Sequence, residues 1–523
     1  MSSTLSGCSL LFAVASSLVV AEHAAAQADQ VIDDPELGTV SNAPASTEST
    51  TGESLPASVS GARLQLHTRL GVDLQHSDAR EETWENTTIA LLEATVRRSE
   101  DLRFAVGMRA RYHISAFSHD VPDAAAERTE LDAAPTAGYV DIKVGNGANL
   151  QFGYQTVHMG RFDLFSAVDV LSVMDLRDGP ATLPEALDVA QLAVRFDYDA
   201  TSNLAFRVLY VPFFTPHILS LTESDYALAH LTEAQVESGL AGLGINNEVL
   251  AANLSRADRE RLAENGFATF TPEAGLASQQ AALRATLRGA AGELSLTAAT
   301  ALEHVPAIYF SQEAIDYLRD PSAVDAAERL QSIERPIRVE YGRFALLALD
   351  ATLDVEPFSL GFEATYMFGR TLYTLGSGAY PDTLPLPDTT DVVQVGARLE
   401  FLHGSELVSS LEAFGAYTIS APHVATRSWV SLERGRYIAG VGAALGWMAD
   451  FGLRLQLGAV ALTGYTLVVV PRIAYVLLDT LELELGAIII EGSPPPLSLT
   501  AHIGIGTLYD STDQVFVGLS YSL

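Results

Sequence analysis

Cysteine is almost missing from this chain. The only one is Cys8, inside a segment expected to be removed, so the mature protein would hold neither a disulfide nor a thiolate metal site. Beyond that segment no apolar run reaches the ~18–20 residues that a membrane helix needs. Basic charge is scarce as well: 31 Lys and Arg stand against 65 Asp and Glu, giving a formal net charge of -34 and a pI of about 4.6. So acidic a chain argues against nucleic acid as a partner, because phosphates need a basic surface. The 12 histidines are scattered and form no helix-spaced metal pair. Gly440-Val441-Gly442 through Gly446 has the look of a phosphate loop, yet it lies inside an alternating strand with no helix after it. Small inward-facing residues explain it better. A barrel phospholipase would need Ser beside His, and His304, read as facing outward, has no Ser-bearing motif next to it. Carboxylate pairs such as Asp33-Asp34 and Glu81-Glu82 read as solvated charge. The chain is therefore not read as an enzyme, and no catalytic residue, metal site or cofactor is assigned.

What is present is a conflict. Hydrophobic residues make up 48% of the chain and the mean hydropathy is positive, despite the charge of -34. A closed barrel in a membrane resolves it, by turning every second side chain to lipid and its neighbours to a polar lumen.

Residues 10–20 form an apolar run too short to span, followed by the small-x-small pattern Ala26-Gln27-Ala28. Residues 1–28 are read as a signal peptide cleaved after Ala28, although no Lys or Arg precedes the apolar run. Leu5-Ser6-Gly7-Cys8 matches a lipidation box by chance, since it lies before the apolar stretch and not after it. Residues 29–60 are rich in Ser, Thr, Pro, Ala and acids, lack Lys and Arg, and are read as a disordered periplasmic tether. Residues 61–523 form the barrel.

From Ala62 the period is two. Leu64, Leu66, Thr68, Leu70, Val72 and Leu74 alternate with Arg63, Gln65, His67, Arg69, Gly71 and Asp73, giving one oily and one ionic face. The same alternation predicts strands near 62–76, 84–98, 101–117, 136–145, 148–157, 187–199, 203–214, 277–289, 291–304, 336–354, 357–372, 391–404, 405–419, 434–449, 452–463, 466–478, 480–491 and 513–523. Every second connection is tight, as at Asn146-Gly147, Ala290 and Asp450-Phe451, whereas those between are mostly long. Outer-membrane barrels have that rhythm, which puts both termini in the periplasm. The fold class expected is all-β, a closed antiparallel transmembrane barrel of about 16–18 strands. Helical periodicity over 224–265 and 311–332 suggests long extracellular loops that are partly helical. The final strand, alternating up to Leu523, is similar to the signal read by the barrel-assembly machinery, although many such strands end in Phe or Trp.

If the alternation holds, Arg63, Arg69, Arg103, Arg109 and Arg111 face the lumen on neighbouring strands, and Glu363, Glu400, Glu412, Glu482 and Glu484 face it elsewhere. Two readings are open: opposed rows that set a transverse field across a pore, or salt-bridged scaffolding along the wall.

Residues 149–216 carry Gly153-Tyr154-Gln155, Met159-Gly160, Asp163, Asp169-Val170-Leu171, Asp175-Leu176-Arg177-Asp178 and Tyr210-Val211-Pro212-Phe213-Phe214. This stretch resembles a family of proteobacterial outer-membrane barrel proteins of poorly defined, porin-like function. Those proteins have a Gly-x-Gln strand end, a Trp-Gly pair, an Asp-rich loop with Asn-Pro-x-Asp, and a Pro-containing aromatic stretch. Met159 stands in place of the tryptophan and Val173-Met174 in place of Asn-Pro. The resemblance implies an inward loop after the fifth strand, with Arg161, Asp163, Asp169, Asp175, Arg177 and Asp178 near a constriction; an external lid held by Arg-Asp pairs is the other reading.

The function expected is a porin-like outer-membrane channel for passive diffusion or uptake of small solutes. Its partners would be outer-membrane lipid, the assembly machinery during biogenesis, a small-molecule solute and, in some arrangement, further copies of itself. Two alternatives are uptake of hydrophobic compounds along Phe162–Phe165 and Tyr210–Phe214, and a surface binding or adhesion barrel without an open pore.

Overall fold

The computed structural model describes residues 58–74, 82–117, 127–160, 162, 166–175, 177, 188–218, 272, 275–313, 316, 337–375, 385–403, 407–419, 437–449, 451–462, 466–478, 480–491 and 513–523. The first nine strands are β1 (Ser58–Asp73), β2 (Glu82–Ser99), β3 (Leu102–Phe117), β4 (Glu127–Lys143), β5 (Ala148–Gln155), β6 (Gln191–Asp199), β7 (Leu204–Val211), β8 (Gln280–Gly289) and β9 (Gly292–Leu302). A short pair follows, β10 (Ala307–Phe310) with β11 (Ile337–Glu340). The remainder are β12 (Arg343–Val355), β13 (Phe358–Leu375), β14 (Pro385–His403), β15 (Leu407–Thr418), β16 (Tyr437–Met448), β17 (Leu453–Leu462), β18 (Thr466–Leu478), β19 (Leu481–Glu491) and β20 (Gln514–Ser522).

Apart from β10 and β11, the strands make one antiparallel sheet of 18 in chain order, with β9 pairing β12. Its ends meet: Thr68 faces Leu519 and Leu70 faces Val517, so β20 closes on β1 and no edge is left. Closure is what lets a sheet stand in hydrocarbon, where an unpaired backbone group costs several kcal/mol.

The burial pattern runs opposite to that of a soluble protein. Leu64, Leu66, Leu70 and Val72 on β1 are exposed, as are Val106 and Met108 on β3, Leu294 and Leu296 on β9, and Leu347 and Leu349 on β12. The polar neighbours of those residues are buried: Arg69, Arg109, Arg111, Ser295, Thr297 and Asp350. Soluble monomers rarely expose a contiguous apolar patch larger than a few hundred Å². A belt of leucine and valine around a whole barrel is a lipid-facing surface, and the chain is a transmembrane β-barrel. No described helix is long and apolar enough to cross a membrane; the strands do so.

Tight turns fall where the alternation breaks. Gly147 and Gly452, in the β4–β5 and β16–β17 turns, have φ of 83° and 84°, a region that side chains with a Cβ rarely enter.

Three expectations change. The barrel starts at Ser58, three residues inside the proposed tether, because β1 continues pairing with β2 to Arg97. The strand expected over 336–354 divides into β11, paired outside the ring, and β12. β4 begins at Glu127 and not near 136, since the outer half of β3 needs backbone partners, as in Tyr112 facing Leu131. The helical loop expected over 224–265 lies outside the described residues, as does 311–332 apart from 311–313 and 316. Among the described residues the one complete helical element is the 3-10 turn Leu276–Ser278, with helical backbone also at Gln312, Glu313 and Asp316, so the described fold does not support long helical loops. Helix propensity alone is a weak prior.

Candidate functional site: a loop braced across the lumen

After Gln155 the chain leaves the β5 wall and returns at Gln191, and the described residues between turn inward. Val157, Met159, Ala167, Val168 and Leu171 pack into one cluster with the inward-facing Ala193, Leu209, Ala282, Ala301, Phe344, Leu346 and Met367. Those wall residues alternate with lipid-facing ones, so the loop covers the inner face of β6 to β13.

Polar bonds hold it at both ends. Arg284 on β8 donates to the carbonyl of Met159 and, at 2.5 Å, to Asp350 on β12. Glu363 on β13 accepts from the Ser166 hydroxyl at 3.1 Å and from the Ala167 amide at 3.1 Å. On the far side, Arg109 of β3 donates to Asp175 at 2.7 Å. Arg177 bonds Asp175 at 2.6 Å and also reaches Asp132 on β4. The ring of Phe162 lies against Gly361 on β13 and Gly396 on β14. β3 and β14 stand nine places apart in a ring of 18 strands, which makes them opposite walls. The loop spans the lumen between them.

Two histidine clusters shape the loop. Half-exposed His158 contacts Asp169 through Nδ1 at 3.0 Å and Asp188 through Nε2 at 2.9 Å, tying the loop's start to its end. Burial works against its charge, but the two carboxylates outweigh that and raise its pKa to about 11. His217 and His304 meet at a tilt with centroids 4.5 Å apart, while Phe214 stacks on His304 and in turn meets Tyr341. Nδ1 of His217 accepts the Met174 amide proton at 2.9 Å, and His304 faces the carbonyls of Thr215 and Val170 at 3.0 and 3.2 Å. Burial lowers both pKa values, that of His304 to about 4. His304 therefore packs against the loop, and the expectation that it faces outward is corrected. Main-chain bonds from Val189 to Val173 and from Ile218 to Met174, both 2.9 Å, complete the support.

The predicted wall charges are mostly engaged with neighbours. Arg69 bonds Glu85 at 2.5 Å, and its guanidinium shares the Phe516 ring with that of Arg472, each 5.7 Å from the centroid. Arg103 pairs with Asp141 at 2.7 Å and Arg111 with Glu130 at 2.8 Å. Glu400 and Glu412 share Arg398 at 3.1 and 3.6 Å, and Glu482 meets Arg454 at 3.0 Å. Glu484 is buried over Gly518, where a Cβ would meet it at 2.6 Å. Arg63 is exposed at the start of β1. Arg109 and Glu363 serve as loop anchors. Of the loop charges, Asp169, Asp175 and Arg177 sit as described, whereas Arg161, Asp163 and Asp178 lie outside the described residues.

Sequence reasoning missed Arg284, Asp350, Asp132, Arg398 and His158. Arg284, Asp350 and Arg398 occupy inward positions of expected strands, so the alternation applied there would have found them; Asp132 lies in the part of β4 that was not expected to be strand. Nothing local marks His158, whose partners are 11 and 30 residues away.

No family model matches the chain, and no curated protein matches it. Solved structures similar to it include Pseudomonas aeruginosa OccK8 (OprE), at 10% identity and a TM-score of 0.45, covering 88% of this chain and 97% of that one. A BenF-like porin from Pseudomonas fluorescens Pf-5 is also 10% identical, with a TM-score of 0.45 and coverage of 88% and 98%. Acinetobacter baumannii OccAB4 shows 9% identity and a TM-score of 0.43, with coverage of 88% and 97%.

Proposed function

We propose that the protein is an outer-membrane channel for small solutes, and that the described residues of the loop between β5 and β6 form its constriction. The observation that carries this reading is the loop itself, anchored on opposite walls of a closed barrel at Arg109 and at Glu363 with Gly396. An external lid would leave the inward face of the wall free; here that face is covered by the loop. Wall charges towards the tight-turn end, among them Arg103, Asp197, Arg207 and Glu482, are each between 13% and 44% exposed or are bonded to a residue that is. They give the passage a polar lining on that side. Because the charges pair across strands, the scaffolding reading is favoured over opposed rows, and charge selectivity is expected to be modest.

Uptake of hydrophobic compounds is less well supported. Phe162 is seated on the wall and Phe214 is packed with Tyr341 and His304, so neither lines a greasy path. Removal of residues 1–28, a tether ending near residue 57, periplasmic termini and self-association belong to the same proposal and rest on the sequence pattern.

Purified protein reconstituted into planar bilayers should give discrete conductance steps, and liposomes carrying it should swell in small sugars or amino acids. A correctly assembled, heat-modifiable barrel that gives neither would overturn the channel reading in favour of a binding or adhesion barrel.

A further inference from the structure

Two glycines stand where the backbone does not ask for them. Gly361 on β13 and Gly396 on β14 lie inside long strands, and neither has the positive φ found at Gly147 or Gly452. Glycine within a strand weakens it, and commonly marks a place where another group approaches closely. Here that group is an aromatic ring. A Cβ on Gly361 would lie 2.7 Å from Cε1 of Phe162, and one on Gly396 would lie 2.8 Å from Cε2. Both distances are shorter than real side chains tolerate.

The register explains the shape of the seat. Gly361 faces Arg398 across the strand pair, and Glu363 faces Gly396. The two glycines thus occupy one diagonal of a four-residue square and the two charges occupy the other. The ring rests on the glycine diagonal, beside the Glu363 carboxylate that accepts from Ser166 and Ala167. Gly446, also inward-facing on β16, supplies the contrast: nothing lies within 4 Å of its Cβ position.

We propose that Phe162, seated on the Gly361–Gly396 diagonal, is the latch that holds the constriction loop to the β13–β14 wall and so sets the width of the passage. This rests on the channel reading above. The far end of the loop is held by ion pairs at Arg109 and Arg177. At the near end the fit of ring to wall adds to the bonds that Glu363 accepts from Ser166 and Ala167, so a single methyl group on the wall loosens that end while leaving its polar partners in place.

The test compares G361A, G396A and F162A with G446A in planar bilayers, each first shown to migrate as a folded, heat-modifiable barrel. G361A and G396A are expected to raise unit conductance or open probability, whereas G446A stays at the wild-type value. F162A should do the same as the two seat variants, and adding G396A to F162A should change nothing further. The latch is overturned if the seat variants match G446A, or if G396A has its full effect in the F162A background. Hydrogen exchange of the amides at 166–175 separates this from failure of the channel reading. A wild-type barrel that never conducts, yet whose loop amides exchange faster in G396A than in G446A, would keep the latch and remove the channel. Unchanged exchange would remove the latch. Should G361A fail to fold, G396A and F162A decide.

Discussion

Arg109 on β3 donates to Asp175 of the inward loop at 2.7 Å, and the two side chains are only 3% and 4% exposed. A buried pair of this kind contributes little over an apolar substitute, but breaking it leaves a charge stranded, at a cost of about 3–5 kcal/mol. Asp175 is also bonded by Arg177, so D175A is expected at the upper end of that range and R109A below it. The double variant should cost less than the sum. Urea unfolding in detergent, read with proteolysis of the loop, checks the order, and strictly additive losses would show that the two side chains are not coupled.

Glu363 is the matching anchor on the opposite side. It accepts from one hydroxyl and one main-chain amide, and hydrogen bonds to a charged group contribute about 1.5–3 kcal/mol each. E363A should therefore release residues 166–167, whereas E363Q, which keeps one acceptor oxygen, should show a smaller effect. Faster exchange of the Ala167 amide in E363A than in E363Q is the expected result.

The adjoining rings of His217 and His304 make the loop sensitive to acid. Burial keeps both rings neutral in the folded protein, with His304 lowered from 6.5 to about 4. Between those pH values the opened loop binds more protons than the closed one, so closure weakens as pH falls from about 6.5 to 4. Above pH 7 this contribution is flat. Protonated Nδ1 of His217 would also point a proton at the Met174 amide. The charged groups acting on the pair are Asp169 and Arg370, the latter paired with Glu303, while Tyr341 lies beyond Phe214. Loop-amide protection, measured against the intrinsic exchange rate at each pH, is expected to fall below pH 6 in the wild type and to fall less in H217N.

His158 acts in the other direction. Its pKa is raised to about 11, so its contribution is complete below 6.5 and is lost as pH rises through about 11. Half of the side chain is exposed, and solvent screening keeps the effect small. H158A should remove any alkaline loosening of the loop without altering the acid limb.

The lipid-facing belt can be tested at one position. Leu349 on β12 is 41% exposed between the buried Ala348 and Asp350. Near the bilayer midplane a cation on this face costs about 2–4 kcal/mol. L349R should lower folding into lipid vesicles by that amount, whereas a soluble sheet would accept it on an exposed face almost freely. An unchanged folding yield would show that the belt does not meet hydrocarbon.

Eighteen strands were legible because alternation is local. Leu294 and Leu296 against Ser295 and Thr297 need no knowledge of the rest of the chain to declare two faces, and the tight turns at Gly147 and Gly452 carry their own residue chemistry. Strand ends were harder to read. β4 reaches back to Glu127 because β3 needs a partner there, and that demand comes from a different segment.

The candidate site was legible only in its inventory. Arg109, Asp175, Arg177 and Glu363 were named as inward or loop charges, but which would meet which was not written in their spacing: 66 residues separate Arg109 from Asp175, and 196 separate Glu363 from Ala167. A period of two reports which face a side chain takes, and so the sequence by itself determined a closed barrel with an oily outside and an ionic inside. Only the closed ring, by bringing β3 and β14 to opposite sides of one lumen, decided that the charges would brace a loop and that two glycines would seat its phenylalanine.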